Sequence, residues 1–532
     1  METVTGQELR RAIDAGHELA IIDVRAPLAR TKGHISVSSG IPLHELEQRI
    51  DSLVPHRGTP VVLASEPELD ERAAAILQRL GYTDVSVLAG GLDGWTAAGG
   101  RLYTGTNVRS KTLGEWIEGE FGTKTVDSAT VAAWRAAGED VVVLDSRPHS
   151  EYVHHHIPGG YDTGGGAELA FRGLQAVTGP DTKIVVNCAG RTRGIVGAQS
   201  LVNTGIANPV YSLHNGTPAW GWAGLDLEHG TGHPLGAPAA VDDDLAKWAA
   251  TVLDHEGADV IGADAVRQLR ADTEHTVYVI DIRRPDEWAE GTVPGARQIQ
   301  GGQLVQGTDE HLAVRRSHVV LVDTEDLVRA ASTVQWLRYL HDGPVSVYVY
   351  RAGEDTGPTV APEPLPDVPV VTGPELADEL ATSQPPLVLD LRSADAYAQG
   401  HLPGSVHARR EQLPGIVAGR RVVLVGDDVD GPRSVGQDLH AAGTGSYQPH
   451  YAAQDLLDQG VDVRVVEGGP STVPVALTDA DPQYAGEVVD RVGPPPFGPE
   501  RDAWYREYFE WEYALVPTSA GDPDFDFERK KP

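Results

Sequence analysis

The chain is poor in cysteine, in cationic residues and in long apolar runs, and each shortage excludes something. Cys188 is the only cysteine in 532 residues, so no disulfide can form within the chain, and a reducing cytoplasm is the expected compartment. Lys and Arg number 43 against 77 Asp and Glu, a formal net charge of −34. That field repels phosphate backbones and anionic headgroups, so neither nucleic acid nor a membrane is expected as a partner. It also opposes any small anionic substrate unless the site is locally basic. No apolar run approaches the roughly 18 to 20 residues of a spanning helix. The opening METVTGQELRRAIDAGHELA has no basic segment leading into an apolar one, so neither a signal peptide nor an anchor is expected, and the protein should be soluble.

What is present is an ordinary globular composition, repeated. Hydrophobic residues make up 40% and charged residues 23%, near the averages for folded domains, and the length is too great for one core. Short β-branched runs ending in Asp-x-Arg occur four times, closing at Arg25, Arg147, Arg283 and Arg392. The runs are followed by KGHISVS, HHHIPGG, EGTVPGA and QGHLPGS, and later by second strands PVVLASE, KIVVNCAG, SHVVLVDTE and RRVVLVGDD. A period of about 110 to 140 residues is that of whole domains. Continuous apolar strands alternating with helical stretches predict α/β domains, each with a mainly parallel central sheet and helices on both faces.

Gly, Pro and charge mark the junctions. The expected division is repeat one over 1–104, a packed linker over 105–124, repeat two over 125–230, a linker over 231–258, repeat three over 259–352, a linker over 353–367 and repeat four over 368–470. The tail, 471–532, is rich in Pro and then in aromatics. Trp504, Tyr505, Tyr508, Phe509 and Trp511 recur at helical spacing, which predicts a helix docked on a domain.

The chemistry concentrates in one loop. KIVVN runs directly into Cys188-Ala189-Gly190-Arg191-Thr192-Arg193-Gly194, with a helix expected from about Ile195. The thiol therefore sits at the C-terminal edge of a parallel strand. Small residues let the loop curl its N–H groups toward the sulfur, an anion nest at a helix N-terminus. With Arg191 and Arg193 beside it, the thiol, ordinarily near pKa 8.5, is expected to ionise more readily. A lone cysteine is commonly a small buried filler, but here the neighbours are basic and glycine-rich at a strand-to-helix switch. Asp145 and Arg147 read as a bracing ion pair, because the repeats without a thiol keep them. His154, His155 and His156 do not gather a further ligand cluster, and neither a metal nor another cofactor is expected.

Taken together, the chain resembles the rhodanese (thiosulfate sulfurtransferase) superfamily over about residues 1 to 470. The resemblance is carried by Asp145-Ser146-Arg147, Glu151-Tyr152, His156-Ile157-Pro158-Gly159 and the loop from Cys188 to Arg193, with Gly90-Gly91-Leu92 and Trp95 in repeat one and Gly216 and Trp220 in repeat two. It implies four tandem rhodanese-like domains and a double displacement, in which Cys188 takes sulfane sulfur from a small donor and passes it to a thiol or to cyanide. Ala189 through Gly194 would bind the donor, Arg191 and Arg193 holding its anionic part, and His156 would fill a structural position. Cysteine phosphatases, including those resembling this fold, place an arginine six positions after the nucleophile, where this chain has Gly194, and a loop of six residues from Cys188 to Arg193 suits sulfur better than phosphate or arsenate, so a phosphatase or arsenate reductase is the weaker reading.

The other repeats have no thiol at this point: Ala64 and Ser65, Asp323 and Thr324, and Asp427 and Asp428 stand there. They are expected to be catalytically silent, with repeats one and two forming an inactive and active pair. CAGRTR matches neither the familiar thiosulfate loop nor the mercaptopyruvate loop, so the donor stays open among thiosulfate-like compounds, mercaptopyruvate and persulfides. The alternative to an enzyme is a sulfur carrier or regulatory binding protein loaded by a partner. Oligomeric state is not legible.

Overall fold

Residues 2–341, 347–353, 365–417, 419–427, 448–490 and 492–528 are described by the computed structural model. Most of the expected 353–367 linker and Asp428 of the repeat-four loop lie outside them.

Each Asp-x-Arg run is the central strand of its own parallel sheet. In repeat two the order is His233–Pro234, Tyr161–Asp162, Val141–Asp145, Lys183–Asn187, Val210–Leu213 and Thr125–Val126, with parallel neighbours throughout. Repeat three runs Asp259–Ile261, Val347–Arg351, His318–Asp323, Val277–Asp281 and Arg297–Gln298. Repeat one places Glu2–Val4, Val85–Leu88, Val61–Leu63 and Leu19–Asp23 side by side, with Ser39–Gly40 beside the last. Repeat four runs Val370–Val371, Val463–Val466, Val422–Val425, Leu387–Asp390, Val406–His407 and Gln483–Tyr484.

The unbroken apolar strands are explained by burial on both faces. In repeat four, Leu387, Leu389, Val422 and Leu424 pack into one core, while Val388, Val423 and Val425 pack into a second on the other side. Side chains alternate across a strand, so a sheet covered on both faces needs apolar residues at every position.

The chain folds into two compact units. One holds the sheets of repeats one and four; the other holds those of repeats two and three, together with the C-terminal segment from Pro494. The expected pairing of repeats one and two is therefore not what forms. Ion pairs between repeats one and four, and between repeats two and three, account for the difference. In the first unit Arg410 grips Glu47 through both carboxylate oxygens, at 2.6 and 2.8 Å. In the second, Arg329 of repeat three reaches Glu168 of repeat two at 3.2 Å, and Arg172 of repeat two reaches Glu287 of repeat three at 2.5 Å. A desolvated charge demands its partner, so such pairs specify which repeats associate. The expected packed linker is a helix, Val108–Phe121, buried along Ser110 to Gly114 in the second unit.

Candidate active site

The strand Lys183–Asn187 delivers Cys188 to the edge of the repeat-two sheet. Ile184, Val185 and Val186 are fully buried, and at the strand end the Asn187 amide donates to Asp145 Oδ2 at 3.0 Å while its carbonyl accepts from the Ser146 N–H at 2.9 Å. The loop is then pinned from the next strand's end. The Cys188 carbonyl accepts from the Thr217 N–H at 3.0 Å and from its hydroxyl at 2.9 Å. Gly216 sits in the left-handed region at φ +55°, and a Cβ there would lie 2.3 Å from the Cys188 carbonyl oxygen. Only glycine lets that backbone come so close.

The loop curls onto the sulfur as expected, but more tightly. Gly190 N–H donates to Sγ at 3.3 Å, and the helix begins at Thr192 instead of Ile195, which brings the Gly194 N–H to the sulfur as well. The expected ease of ionisation is not found. Cys188 is only 2% exposed, and burial pushes its thiol up; Arg193 and the two N–H groups pull down, Glu512 pushes up again, and the net displacement is upward. Desolvation of a buried thiolate outweighs the nest.

Both arginines are committed to carboxylates. Arg191 grips Glu115 through Nε at 2.6 Å and Nη2 at 2.9 Å, and also pairs with Glu118. Arg193 grips Glu151 through Nη1 at 2.6 Å and Nη2 at 2.9 Å. The expectation of two guanidinium groups open to an anion thus meets a loop whose charges are already answered, Glu115 and Glu118 coming from the linker helix. Burial, against the pull of Arg191, leaves the Glu115 carboxyl raised to about 7.

The aromatic tail forms the expected helix, Pro499–Tyr513, and it docks on this loop. Thr192 Oγ1 donates to Glu512 Oε1 at 2.7 Å, the Tyr513 hydroxyl donates to Asn215 Oδ1 at 2.7 Å, and the Trp222 indole donates to Asp502 at 2.9 Å. The Arg191 guanidinium lies 4.3 Å from the Tyr513 ring centre. A Cβ on Gly190 would meet Tyr508 at 3.6 Å and Phe509 at 3.8 Å. The tail therefore covers the loop that holds the thiol. Its helical spacing was visible in the sequence; the surface it covers was not.

Asp145 and Arg147 form a buried fork, Nε to Oδ1 at 2.9 Å and Nη2 to Oδ2 at 2.7 Å, and Nη2 also donates to the His155 carbonyl at 2.7 Å. Asp23 with Arg25, Asp281 with Arg283 and Asp390 with Arg392 repeat it, down to the carbonyl eight residues on, at Gly33, Gly291 and Gly400. His156 stacks on Tyr152 with ring centres 4.0 Å apart. His154 and His155 meet through their Nδ1 atoms at 2.7 Å, and burial pushes His155 down to about 3. In repeat three Asp272, His275 and His318 each bring one ligand-capable atom within 4.8 Å of the others, a grouping to which the sequence reading gave no role.

Strand register identifies the counterparts of Cys188. Asp145 pairs with Asn187, Asp281 with Val322 and Asp390 with Val425, while Ile22 pairs with Leu63, so the counterparts are Ser65, Asp323 and Gly426. The Ser65 hydroxyl and N–H are both taken by Asp70. Asp323 is ion-paired with the buried Arg329 at 2.7 Å, and Gly426 offers no side chain.

Four parallel α/β domains, one of which ends its strand in a thiol cradled by a tight loop, define the class as a tandem repeat of one α/β fold. The Rhodanese-like domain family matches residues 5–98, 128–222, 262–354 and 372–471, well over half of the chain, and the chain belongs to that family. The crystal structure of a thiosulfate sulfurtransferase from Pseudomonas aeruginosa is similar along 99% of both chains, at 33% identity and a TM-score of 0.87. The uncharacterised protein YqhL of Bacillus subtilis (strain 168) is 36% identical over 104 residues, 19% of this chain and 75% of that protein. Among the described residues no helix is long and apolar enough to cross a membrane.

Proposed function

We propose that the protein is a sulfurtransferase that moves sulfane sulfur from a small donor through a Cys188 persulfide to a thiol or cyanide acceptor, in a reducing compartment such as the cytoplasm. The observation that carries the reading is the Gly190 N–H donated to Sγ at 3.3 Å in a loop at the end of a buried parallel strand. It is supported by the likeness, over nearly the whole chain, to a protein named as a thiosulfate sulfurtransferase.

In the first half-reaction the Cys188 thiolate attacks the outer sulfur of the donor. The donor's S–S bond breaks, the leaving group departs with the electron pair, and Cys188 becomes a persulfide. An acceptor thiolate then attacks the outer persulfide sulfur and the Cys188 thiolate returns. N–H groups of Gly190 and Gly194 and the Arg193 charge stabilise the thiolate in both steps; Ala189 and Gly190 keep the loop small enough for those groups to converge, and Thr192 ties it to the tail helix. Asp145, Arg147 and His156 hold the frame without touching the reacting sulfur.

Sulfur transfer to a small thiol or to cyanide, followed with the full chain and with Cys188→Ser, tests the reading. Turnover above background that the variant loses supports it; turnover that the variant keeps overturns it. A second reading, a carrier loaded by a partner protein, is favoured by the 2% exposure of the thiol beneath the tail. Turnover with small molecules alone would set it aside.

A further inference from the structure

Repeat three brings together three ligand-bearing side chains from separate segments at the end of its sheet where the strands begin. Asp272 closes the helix Ala263–Ala271, His275 lies in the short connection to the strand Val277–Asp281, and His318 opens the neighbouring strand His318–Asp323. The backbone fixes this frame: the Asp272 N–H donates to the Leu269 carbonyl at 3.1 Å, the His318 N–H donates to the Thr276 carbonyl at 2.8 Å, and Val277 pairs with His318 in register. On it each side chain sets one ligand-capable atom within 4.8 Å of the other two. The His275 and His318 ring centres stand 5.0 Å apart.

Asp272 is aimed. Its Oδ1 accepts from the Glu274 N–H at 2.8 Å, and its Oδ2 lies 2.8 Å from His275 Nδ1. A neutral imidazole can carry its proton on Nε2 and leave Nδ1 a lone pair, so these two atoms can share a cation as well as a proton. His318 adds an independent observation: its Nδ1 is buried and has no hydrogen-bond partner, a state that costs free energy until something answers it. The Asp272 and His275 side chains are 32% and 50% exposed, which lets an ion enter and keep water in its remaining positions. The net charge of −34 favours a cation.

We propose that Asp272, His275 and His318 bind a divalent transition ion of the zinc class, which clasps the helix end and the connection after it to the first residue of the neighbouring strand. Two imidazoles and one carboxylate form a borderline donor set that suits zinc, whereas magnesium and calcium call for oxygen throughout. Small side-chain rotations carry the three atoms to the roughly 2.0–2.2 Å of zinc–nitrogen and zinc–oxygen bonds, and water fills the fourth position. No step of sulfur transfer passes through the ion, so the site is independent of the function proposed for Cys188.

Calorimetric titration of the full chain with zinc, with circular dichroism to check the fold of each variant, tests the site. The expected result is an equivalent of zinc whose affinity falls at least about tenfold in His275→Gln and in His318→Gln, a loss that even an outer-shell partner of a metal brings, and that Cys188→Ser keeps. The unfolding midpoint should rise with zinc, and rise less in both histidine variants. His275 is half exposed, so His275→Gln keeps the test decisive if His318→Gln does not fold. No zinc bound, an affinity in His275→Gln equal to that of the unaltered chain, or an equivalent lost in Cys188→Ser in place of the histidine variants overturns the proposal.

Discussion

Arg147 and Cys188 show at the residue scale how much rests on a buried charge and its answer. Arg147 is fully buried against Asp145, so Arg147→Ala strands a carboxylate in the core. We predict a loss of about 3–5 kcal/mol in urea unfolding followed by tryptophan fluorescence. The double change Asp145→Asn with Arg147→Met should cost less than Arg147→Ala alone, because it leaves no unpaired charge; an equal or larger cost would mean that the pair acts through its shape. For Cys188 the sign runs the other way from a reactive thiolate. Burial, and then Glu512, hold the thiol above its ordinary range, so its alkylation rate should rise with pH to a midpoint above about 8.5. Glu512→Gln removes a like charge and should lower that midpoint; a rise would contradict the placement of Glu512.

The elements were legible in proportion to how local their causes are. Apolar runs such as KIVVN announced strands, the four Asp-x-Arg ends announced their braces, and Trp504, Tyr505, Tyr508, Phe509 and Trp511 announced a helix. Hidden were the contacts joining segments far apart in the chain: Thr192 with Glu512 and Arg191 with Tyr513 across 320 and 322 residues, and Arg191 with Glu115 across 76. No spacing rule encodes them, nor the burial that outweighs the pull of the loop on the thiol. Phe509 is one of the buried anchors of the tail helix, 2% exposed and edge-on to Trp222 with ring centres 5.8 Å apart. Phe509→Ala should weaken its docking by about 3–5 kcal/mol and speed Cys188 alkylation at least about tenfold. An unchanged rate would show that the thiol is reached without moving the helix.

At the scale of the whole molecule, repetition supplied the fold and buried ion pairs chose the partners. The sequence displayed four copies of one domain, but Arg410 with Glu47, Arg329 with Glu168 and Arg172 with Glu287 are what set one beside four and two beside three. Their side chains carry no mark of this in the sequence, because surface and interface arginines look alike until the repeats are folded. The repeats without a thiol differ from repeat two in more than the missing sulfur. In repeat one Asp70 takes both the hydroxyl and the N–H of Ser65, and burial raises that carboxyl to about 6. Ser65→Cys should therefore add no second persulfide, a gain of two sulfurs per chain being the contrary outcome.

The central claim is that Cys188 carries sulfur, and the most direct measurement is intact mass of the full chain after incubation with thiosulfate, mercaptopyruvate and a hydropersulfide in turn. The account predicts a gain of one sulfur atom with at least one donor, reversed by an acceptor thiol and absent in Cys188→Ser. No gain with any donor, or a gain that Cys188→Ser retains, would contradict it.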